Sequence, residues 1–255
     1  MKVGEAIKRR WQAWGIGAML ILQCSHVAAD GGLSLDRTRV IFQQANMAQS
    51  VTLRNRGEAL YLVKSVITRD IAGKVTAPFW VTPPLFRLEP RSQNTLRILR
   101  QGESLPQDRE SLFYFSALAI PATAKPTGNS ENQPKVAGAL SLGVRSVIKM
   151  FYRPTGLVMK PTQAYEQLTF SYKNGNVTAN NDSPYFLSLA SLTLGTHSVN
   201  LNQVPSMVAP YSSVVFATPP VTQVSWQLIT DYGSVTERKT ISISSTKNGK
   251  ITAEK

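Results

Sequence analysis

Residues 139–154, ALSLGVRSVIKMFYRP, combine an alternating apolar pattern with a lysine in an unusual place. Leu140, Leu142 and Val144 alternate with small or polar residues, which is the period of a β-strand with one apolar face. Lys149 then stands among aliphatic and aromatic residues typical of a core. A lysine in such a setting must reach water or meet an anion. The segment therefore predicts either a lysine that extends to solvent or a binding site for a negatively charged group.

Residue types that enzymes use most often are scarce in this chain. The 255 residues include one cysteine and two histidines, and beyond the first 30 residues only His197 remains. This disfavours zinc clusters, Cys/His pairs and Ser-His-Asp triads. No phosphate-binding loop or dinucleotide glycine motif occurs, and nothing marks a pair of catalytic carboxylates. We predict that the protein is not an enzyme and needs neither a metal nor a cofactor.

The first 29 residues have the pattern of a cleaved export signal. Four basic residues precede the apolar run WGIGAMLIL, and small residues follow at 27–29. The run is too short to span a bilayer, so we expect cleavage after Ala29, which leaves no cysteine. A lipoprotein signal ending at Cys24 is the alternative, but Gln23 stands where a small residue would be expected.

The chain is strongly basic, with 28 Lys and Arg against 15 Asp and Glu and a net charge of +13. Such an excess favours solubility or a negatively charged partner, for example a lipid head group or the acidic end of another protein. Nucleic acid is disfavoured, because no dense basic block with interleaved aromatic residues occurs and the chain is predicted to be exported. No segment beyond the signal is apolar enough for membrane insertion.

Short alternating segments separated by turn residues recur beyond the signal, at the spacing of immunoglobulin-like β-sandwiches. Pro154 and Gly156 interrupt the pattern near 153–157. We therefore predict an all-β fold with domains at 30–154 and 155–255. The strands predicted in the first half are 33–42, 50–55, 61–68, 79–82, 94–99, 112–120 and 139–152. Those predicted in the second half are 167–172, 176–180, 185–194, 213–217, 223–230 and 235–244.

Three further features lie between or within these strands. The segment 121–135 is a long loop rich in Pro, Ser, Asn and Thr, of a kind that is usually functional or disordered. The pairs at 174–175 and 181–182 favour tight turns. Trp80 and Trp226 stand in strand-like segments, and we expect both to face a core.

Several motifs together resemble the PapD-like family of periplasmic pilus-assembly chaperones. TPPLFRLEP, LPQDRESLFYF, IKMFYRP and DYG stand in the family's order, and LSLDRTRVIF, NDSPYFLSLASL and MVAPYSS are similar as well. They cover nearly the whole chain beyond the signal. The resemblance implies two immunoglobulin-like domains with an interdomain cleft, and a periplasmic location.

The resemblance also implies a function. In this family, pilin or fimbrial subunits lack the last strand of their immunoglobulin fold. The chaperone lends its own G strand until the subunit passes to an outer-membrane usher, which is donor-strand complementation. On this reading Leu140, Leu142 and Val144 fill the groove of the subunit. Arg39 and Lys149 match the family's anchor for the subunit's C-terminal carboxylate.

A second set of residues carried over from the family is structural. Glu110, Arg153 and Asp231 match an interdomain salt-bridge set that would fix the angle between the domains. We expect these pairs to be exposed and to contribute little stability. The chain departs from the family where Asn and an aliphatic residue usually stand, since Ser116 and Ala117 occupy those positions. The long loop lacks the cysteine pair of the long-loop branch, so we favour a short-loop type with an insertion.

Three other functions are compatible with a β-sandwich. An exported adhesin or carbohydrate-binding module would need a cluster of exposed aromatic residues. An exported β-rich enzyme is disfavoured by the missing histidines and cysteines. A chaperone-like protein without a client would differ from a functional chaperone only in subunit binding.

Overall fold

The computed structural model describes residues 32–122 and 142–243. They form two lobes, each with its own apolar core between β-sheets. Leu140, the predicted export signal and most of the long loop lie outside the described residues. Within the described ranges, no helix is both long and apolar enough to span a bilayer.

The first lobe consists of a four-stranded sheet in the order β1-β3-β7-β5 and a five-stranded sheet in the order β2-β9-β8-β4-β6. Its strands are β1 Leu33–Leu35, β2 Arg39–Gln43, β3 Ala48–Asn55, β4 Tyr61–Thr68, β5 Phe79–Thr82, β6 Leu85–Leu88, β7 Gln93–Arg100, β8 Ser111–Pro121 and β9 Val144–Arg153.

Alternating burial along these strands builds the core of the first lobe. In β3, Val51 and Leu53 are buried, whereas the intervening side chain is more accessible, as a period of two requires. Phe79 packs edge-on against Phe42 and Phe113, with ring centres 5.3 and 5.0 Å apart. The aromatic residues thus join the two sheets into one sandwich.

The predicted strand 33–42 is in fact two strands in different sheets. β1 pairs antiparallel with β3, and β2 pairs parallel with β9. Between them, the backbone N–H of Asp36 donates to the carbonyl of Thr52, and the Asp36 carboxylate accepts from the Thr52 N–H, each at 3.0 Å. These two bonds hold the chain on the four-stranded sheet until it crosses over.

Strand β9 is paired on both sides along only half of its length. It pairs antiparallel with β8 from Val144 to Tyr152, whereas β2 covers only Lys149 to Arg153. Within the described part of the chain, residues 144–148 therefore have no partner on the side of β2. We call the unpaired side of residues 144–148 the free edge.

The second lobe consists of a three-stranded sheet in the order β10-β11-β15 and a sheet in the order β13-β12-β16-β17, with β14 also paired to β12. Its elements are the short helix α1 Pro161–Ala164 and the strands β10 Leu168–Lys173, β11 Asn176–Asn181, β12 Leu187–Leu194, β13 His197–Ser198, β14 Met207–Val208, β15 Ser212–Ala217, β16 Gln223–Ile229 and β17 Lys239–Ser242.

The two predicted tight turns of the second lobe have different outcomes. Asn174 and Gly175 have φ of 51° and 77° and connect β10 to β11 as a two-residue hairpin loop. Asn181, by contrast, is a buried strand residue. Its amide donates to the carbonyls of Tyr185 and Ala209 at 2.7 and 2.9 Å, so it links the end of β11 to two neighbouring segments.

Two immunoglobulin-like sandwiches are what the strand pattern predicts, and the fold class is confirmed. Strand β6 was not predicted, because Pro83 and Pro84 give its start the composition of a turn.

Candidate functional site

Arg39 and Lys149 lie beside each other on neighbouring strands. In the parallel pairing of β2 with β9, Arg39 is the register partner of Lys149. Residues paired in this way project from the same face of a sheet. The structure thus brings together the two residues from which the family resemblance implies a carboxylate anchor.

Neither cation has a complete set of partners. Nη1 of Arg39 donates to the carbonyl of Ile229 at 3.2 Å, and its buried Nε has no acceptor among the described residues. Burial lowers the pKa of the Lys149 ammonium, and the neighbouring Arg39 guanidinium lowers it further. Burial also lowers the pKa of Arg39, against the opposing effect of Asp231. Two adjacent, partly desolvated cations are thus held together, which favours binding of an anion.

Arg153 connects the two lobes through two carboxylates. Its Nε donates to Oε1 of Glu110 at 2.8 Å, and its Nη1 and Nη2 donate to the two carboxylate oxygens of Asp231 at 2.7 and 2.9 Å. Glu110 belongs to the first lobe and Asp231 to the second. Glu110 also accepts the backbone N–H of Phe186 at 2.9 Å, which adds a further contact between the lobes.

The Arg153–Glu110 pair is buried and the Arg153–Asp231 pair is partly buried, so the expectation that both are exposed is wrong. The side chains of Arg153 and Glu110 are only 8% and 2% exposed. Burial acts to lower the pKa of Arg153, but the hydrogen bonds to Asp231 and the charge of Glu110 outweigh it and raise that pKa. Burial raises the pKa of Glu110, against the lowering effect of Arg153. Removal of one partner would leave a buried charge without compensation.

The charges of the cation pair and of the Arg153 ion pairs do not balance, and nearby Arg37 is already paired with Asp36. The cation pair and the Arg153 ion pairs comprise three cations, Arg39, Lys149 and Arg153, and two carboxylates, Glu110 and Asp231. Both oxygens of Asp231 are bound by Arg153, so its charge is only partly available to Arg39. One additional carboxylate would neutralise the group.

A cleft of about 380 Å³ opens beside Arg39. Of the described residues, seven line it, and Lys149 is not among them: Arg37, Thr38, Arg39, Ile41, Gln43, Asp231 and Tyr232. Tyr232 is 97% exposed, and only its place in the DYG motif drew attention to it in the sequence. A ligand bound at Arg39 therefore has an aromatic ring available at the rim of the cleft.

Steric constraints explain why the DYG motif has a glycine at position 233. Gly233 has φ of 83°, and a β-carbon there would collide with Oγ1 of Thr38 in the first lobe. Any other residue would strain the backbone, and its β-carbon would force the Thr38 side chain to move.

The apolar residues just before and at the start of the free edge are accessible. Leu142 is 70% exposed and Val144 51% exposed. They alternate on the face that continues, further along β9, into the buried Met150 and Tyr152. Leu142 and Val144 thus extend the line of core residues beyond the core. Leu140 lies outside the described residues.

We predicted that both Trp80 and Trp226 face a core. The prediction is wrong for Trp80 and confirmed for Trp226. Trp80 is 65% exposed and Trp226 is 4% exposed. In β5 the neighbouring Phe79 and Val81 take the inward positions, so Trp80 points outward. Its cross-strand neighbour in β7 is Leu99, which is not aromatic. The exposed ring therefore lacks the adjacent aromatic partner that a sugar-stacking platform would use.

The fold and the site define a two-lobed β-sandwich protein that offers an open strand edge beside a pair of cations, and comparison with known proteins gives this class a name. Residues 32–158 match the N-terminal domain of the PapD pili and flagellar-assembly chaperones, and residues 163–240 match the C-terminal domain of the PapD pili assembly chaperones.

Curated relatives match over nearly their whole length. The probable fimbrial chaperone protein ElfD of Escherichia coli (strain K12) is 35% identical over 224 residues, which is 85% of this chain and 90% of the relative. Chaperone protein FimB/FhaD of Bordetella pertussis (strain Tohama I) is 34% identical over 240 residues, which is 90% of this chain and 95% of the relative.

Among solved structures, the Salmonella enterica SafA pilin in complex with the SafB chaperone matches with a TM-score of 0.70. The identity is 28%, over 83% of this chain and 96% of the matched chain. This chain belongs to the PapD-like family of pilus-assembly chaperones, whose members are non-enzymatic chaperones, and the resemblance found in the sequence is confirmed.

Proposed function

We propose that this chaperone captures a pilus or fimbrial subunit at the free edge of β9 and anchors the subunit's C-terminal carboxylate between Arg39 and Lys149. The observation that carries the proposal is their relative position. The cation pair stands at the residue where β2 stops covering β9, so the anchor lies at one end of the open edge. A single carboxylate would supply the charge that this region lacks.

The position of the anchor also fixes the direction of the bound strand. A subunit strand with its C-terminus at Lys149 and its body along residues 144–148 must run in the same direction as β9. Its backbone N–H and C=O groups would pair with the free edge without any sequence requirement. The anchor would set the register, which decides the subunit side chains that meet each donor residue.

The donor residues Leu140, Leu142 and Val144 would fill the groove that the missing strand leaves in the subunit. Exposed side chains of this size gain about 1.5–3 kcal/mol each on full burial, before the cost of association. The exposure of Leu142 and Val144 supports this role, because burial against a partner releases more free energy for apolar side chains that are exposed beforehand.

The buried cluster of Arg153, Glu110 and Asp231 would hold the two lobes so that the cleft beside Arg39 stays open. We further propose that the chain acts in the periplasm after removal of residues 1–29, with domains at 30–154 and 155–255. There it would pass its subunit to an outer-membrane usher. The family membership supports these steps.

Capture in the periplasm tests the proposal. The chain would be co-expressed with a candidate pilin and purified, in parental form and as Arg39→Ala, Lys149→Ala and the control Lys173→Ala, which removes an exposed lysine of β10. We expect the parent and the control to retain the pilin and both site variants to lose it. Capture by all four would show that the anchor lies elsewhere. Capture by none, with several pilins, would favour an adhesin or a chaperone without a client.

A further inference from the structure

We propose that Arg145 is a positioning residue that holds the free edge flat and extended, by clamping it to the loop 69–76. The inference rests on the proposed function of the free edge. Its basis is a set of contacts on the face of the sheet opposite to Val144, which the capture mechanism itself does not use.

Arg145 uses all three of its guanidinium nitrogens for hydrogen bonds. Nε donates to Oγ of Ser116 at 2.8 Å, Nη2 to the carbonyl of Ile71 at 3.0 Å, and Nη1 to the carbonyl of Ala72 at 3.4 Å. The side chain thus connects β9 to β8 and to the loop between β4 and β5. One residue of the free edge is therefore fixed at two other points of the fold.

The loop that receives Arg145 is closed by hydrogen bonds of its own. The carboxylate of Asp70 accepts the backbone N–H groups of Lys74 and Val75 at 3.0 and 2.7 Å, and these bonds lower the pKa of Asp70. At Gly73, φ is 81° and an added β-carbon would come within 2.8 Å of Nη2 of Arg145. The loop is thus shaped to leave room for the guanidinium group.

The free edge needs such support because its own pairing is one-sided. Residues 144–148 have ladder bonds to β8 alone among the described residues, whereas 149–153 are held from both sides. Strand segments with few hydrogen bonds and exposed side chains open locally at low cost. A segment that frays could not present a continuous row of N–H and C=O groups to an incoming strand.

Ser116 gives a reason for one departure from the family pattern. Its side chain is buried, at 3% exposure, and its hydroxyl accepts from Nε of Arg145. This hydroxyl is the acceptor that β8 provides for the Arg145 side chain. Arg145 and Ser116 act as a matched pair.

Hydrogen exchange without any subunit tests the clamp directly. The variant Arg145→Met keeps an unbranched apolar stem and removes every donor, and Arg97→Met is a control at an exposed arginine of β7. We expect amide exchange in peptides covering 69–76 and 144–148 to become about tenfold faster in Arg145→Met. Exchange in β16 should not change, and the control should match the parent. Unchanged exchange in 144–148 overturns the proposal, even if 69–76 becomes faster.

A milder variant and a binding assay complete the test. Ser116→Ala removes only one acceptor, so it should raise exchange in 144–148 by a smaller factor while the fold is kept. The effects of the two substitutions should not add, because they remove one shared contact. In the pilin co-purification, Arg145→Met should retain about tenfold less subunit than the parent. Faster exchange with unchanged capture overturns the positioning role. If the parent itself fails to capture a subunit, the proposed function is refuted instead. The exchange result still tests whether Arg145 holds the free edge to the loop 69–76.

Discussion

Replacement of Lys149 by Met should stabilise the free chaperone while it abolishes its function. Met keeps the length and apolar character of the lysine stem and removes only the charge. In the absence of a subunit that charge is partly buried, it lies beside Arg39, and no carboxylate among the described residues lowers its cost. Lysine at this position would thus serve binding at the expense of stability.

The size of the effect follows from the distance across the strand pair. Two unit charges about 6 Å apart repel by about 0.7 kcal/mol in water and by about 3 kcal/mol at an effective dielectric constant of 20. Lys149 retains some exposure, so we expect its removal to stabilise the free chain by about 1 kcal/mol. In a chain of this size, that corresponds to a rise of about 2–4 °C in Tm. Loss of the anchor should weaken the subunit complex by a factor of about 10²–10³.

Thermal unfolding of the purified parent and Lys149→Met, measured from pH 7 to 11, gives the test. The pKa of Lys149 is lower in the folded chain than in the unfolded chain, so the unfolded chain binds more protons between the two values. Stability of the parent should therefore rise as the pH passes through the folded pKa. The difference between the parent and Lys149→Met should shrink over the same interval, since the variant lacks this group.

The opposite result would refute the reasoning. If Lys149→Met lowers the free energy of unfolding by 1 kcal/mol or more, by about the amount expected for a lost charged hydrogen bond, the lysine already has a partner in the free chain. In that case the cation pair is a structural feature and not a vacant site. Lys173→Met serves as the control, because that lysine is exposed and should change neither Tm nor subunit binding.

Three other substitutions should each have a distinct effect. Arg153→Met should destabilise the chain by about 3–5 kcal/mol in urea unfolding, because Glu110 would keep a buried charge, and Asp231 a partly buried one, without a partner. Gly233→Ala should cost about 1–3 kcal/mol, measured as a lower Tm, because it combines a left-handed backbone with a steric collision. Leu142→Asp should leave Tm unchanged, because the side chain is exposed, but should reduce pilin capture by tenfold or more since it buries a charge in the subunit groove. Normal capture by Leu142→Asp would show that this position stays outside the groove.

The sequence predicted the fold well, because period-two burial is a local property that each strand displays by itself. The order of the motifs was sufficient to identify the family, and Arg39 and Lys149, which the resemblance paired, are register partners on neighbouring strands. The exposure of Trp80 could not be predicted in the same way. All four residues of β5 are of types that suit a strand, so the alternation does not show which face is inward.

Features that depend on contacts between distant segments could not be read from the sequence. The burial of Arg153 and Glu110 depends on how the second lobe covers them. The contact of Arg145 with the loop 69–76 joins residues more than 70 positions apart. In the sequence, Ser116 stands out only as a departure from the family motif, and its hydrogen bond to Arg145 is visible only in the structure.

The crossover between β1 and β2 determines the length of the free edge. Extended backwards, the register that pairs Arg39 with Lys149 would place residues 34–38 opposite 144–148. A continuous strand over 33–42 would therefore seal the edge with the chaperone's own backbone. Because residues 33–36 are bonded to the other sheet and residues 37 and 38 form the crossover, a gap of five residues remains, about 16 Å at the usual rise per residue. On the proposed function, the crossover would set how many residues of a subunit strand can pair with the free edge. A shift of the crossover by two residues would lengthen or shorten that stretch by about 7 Å.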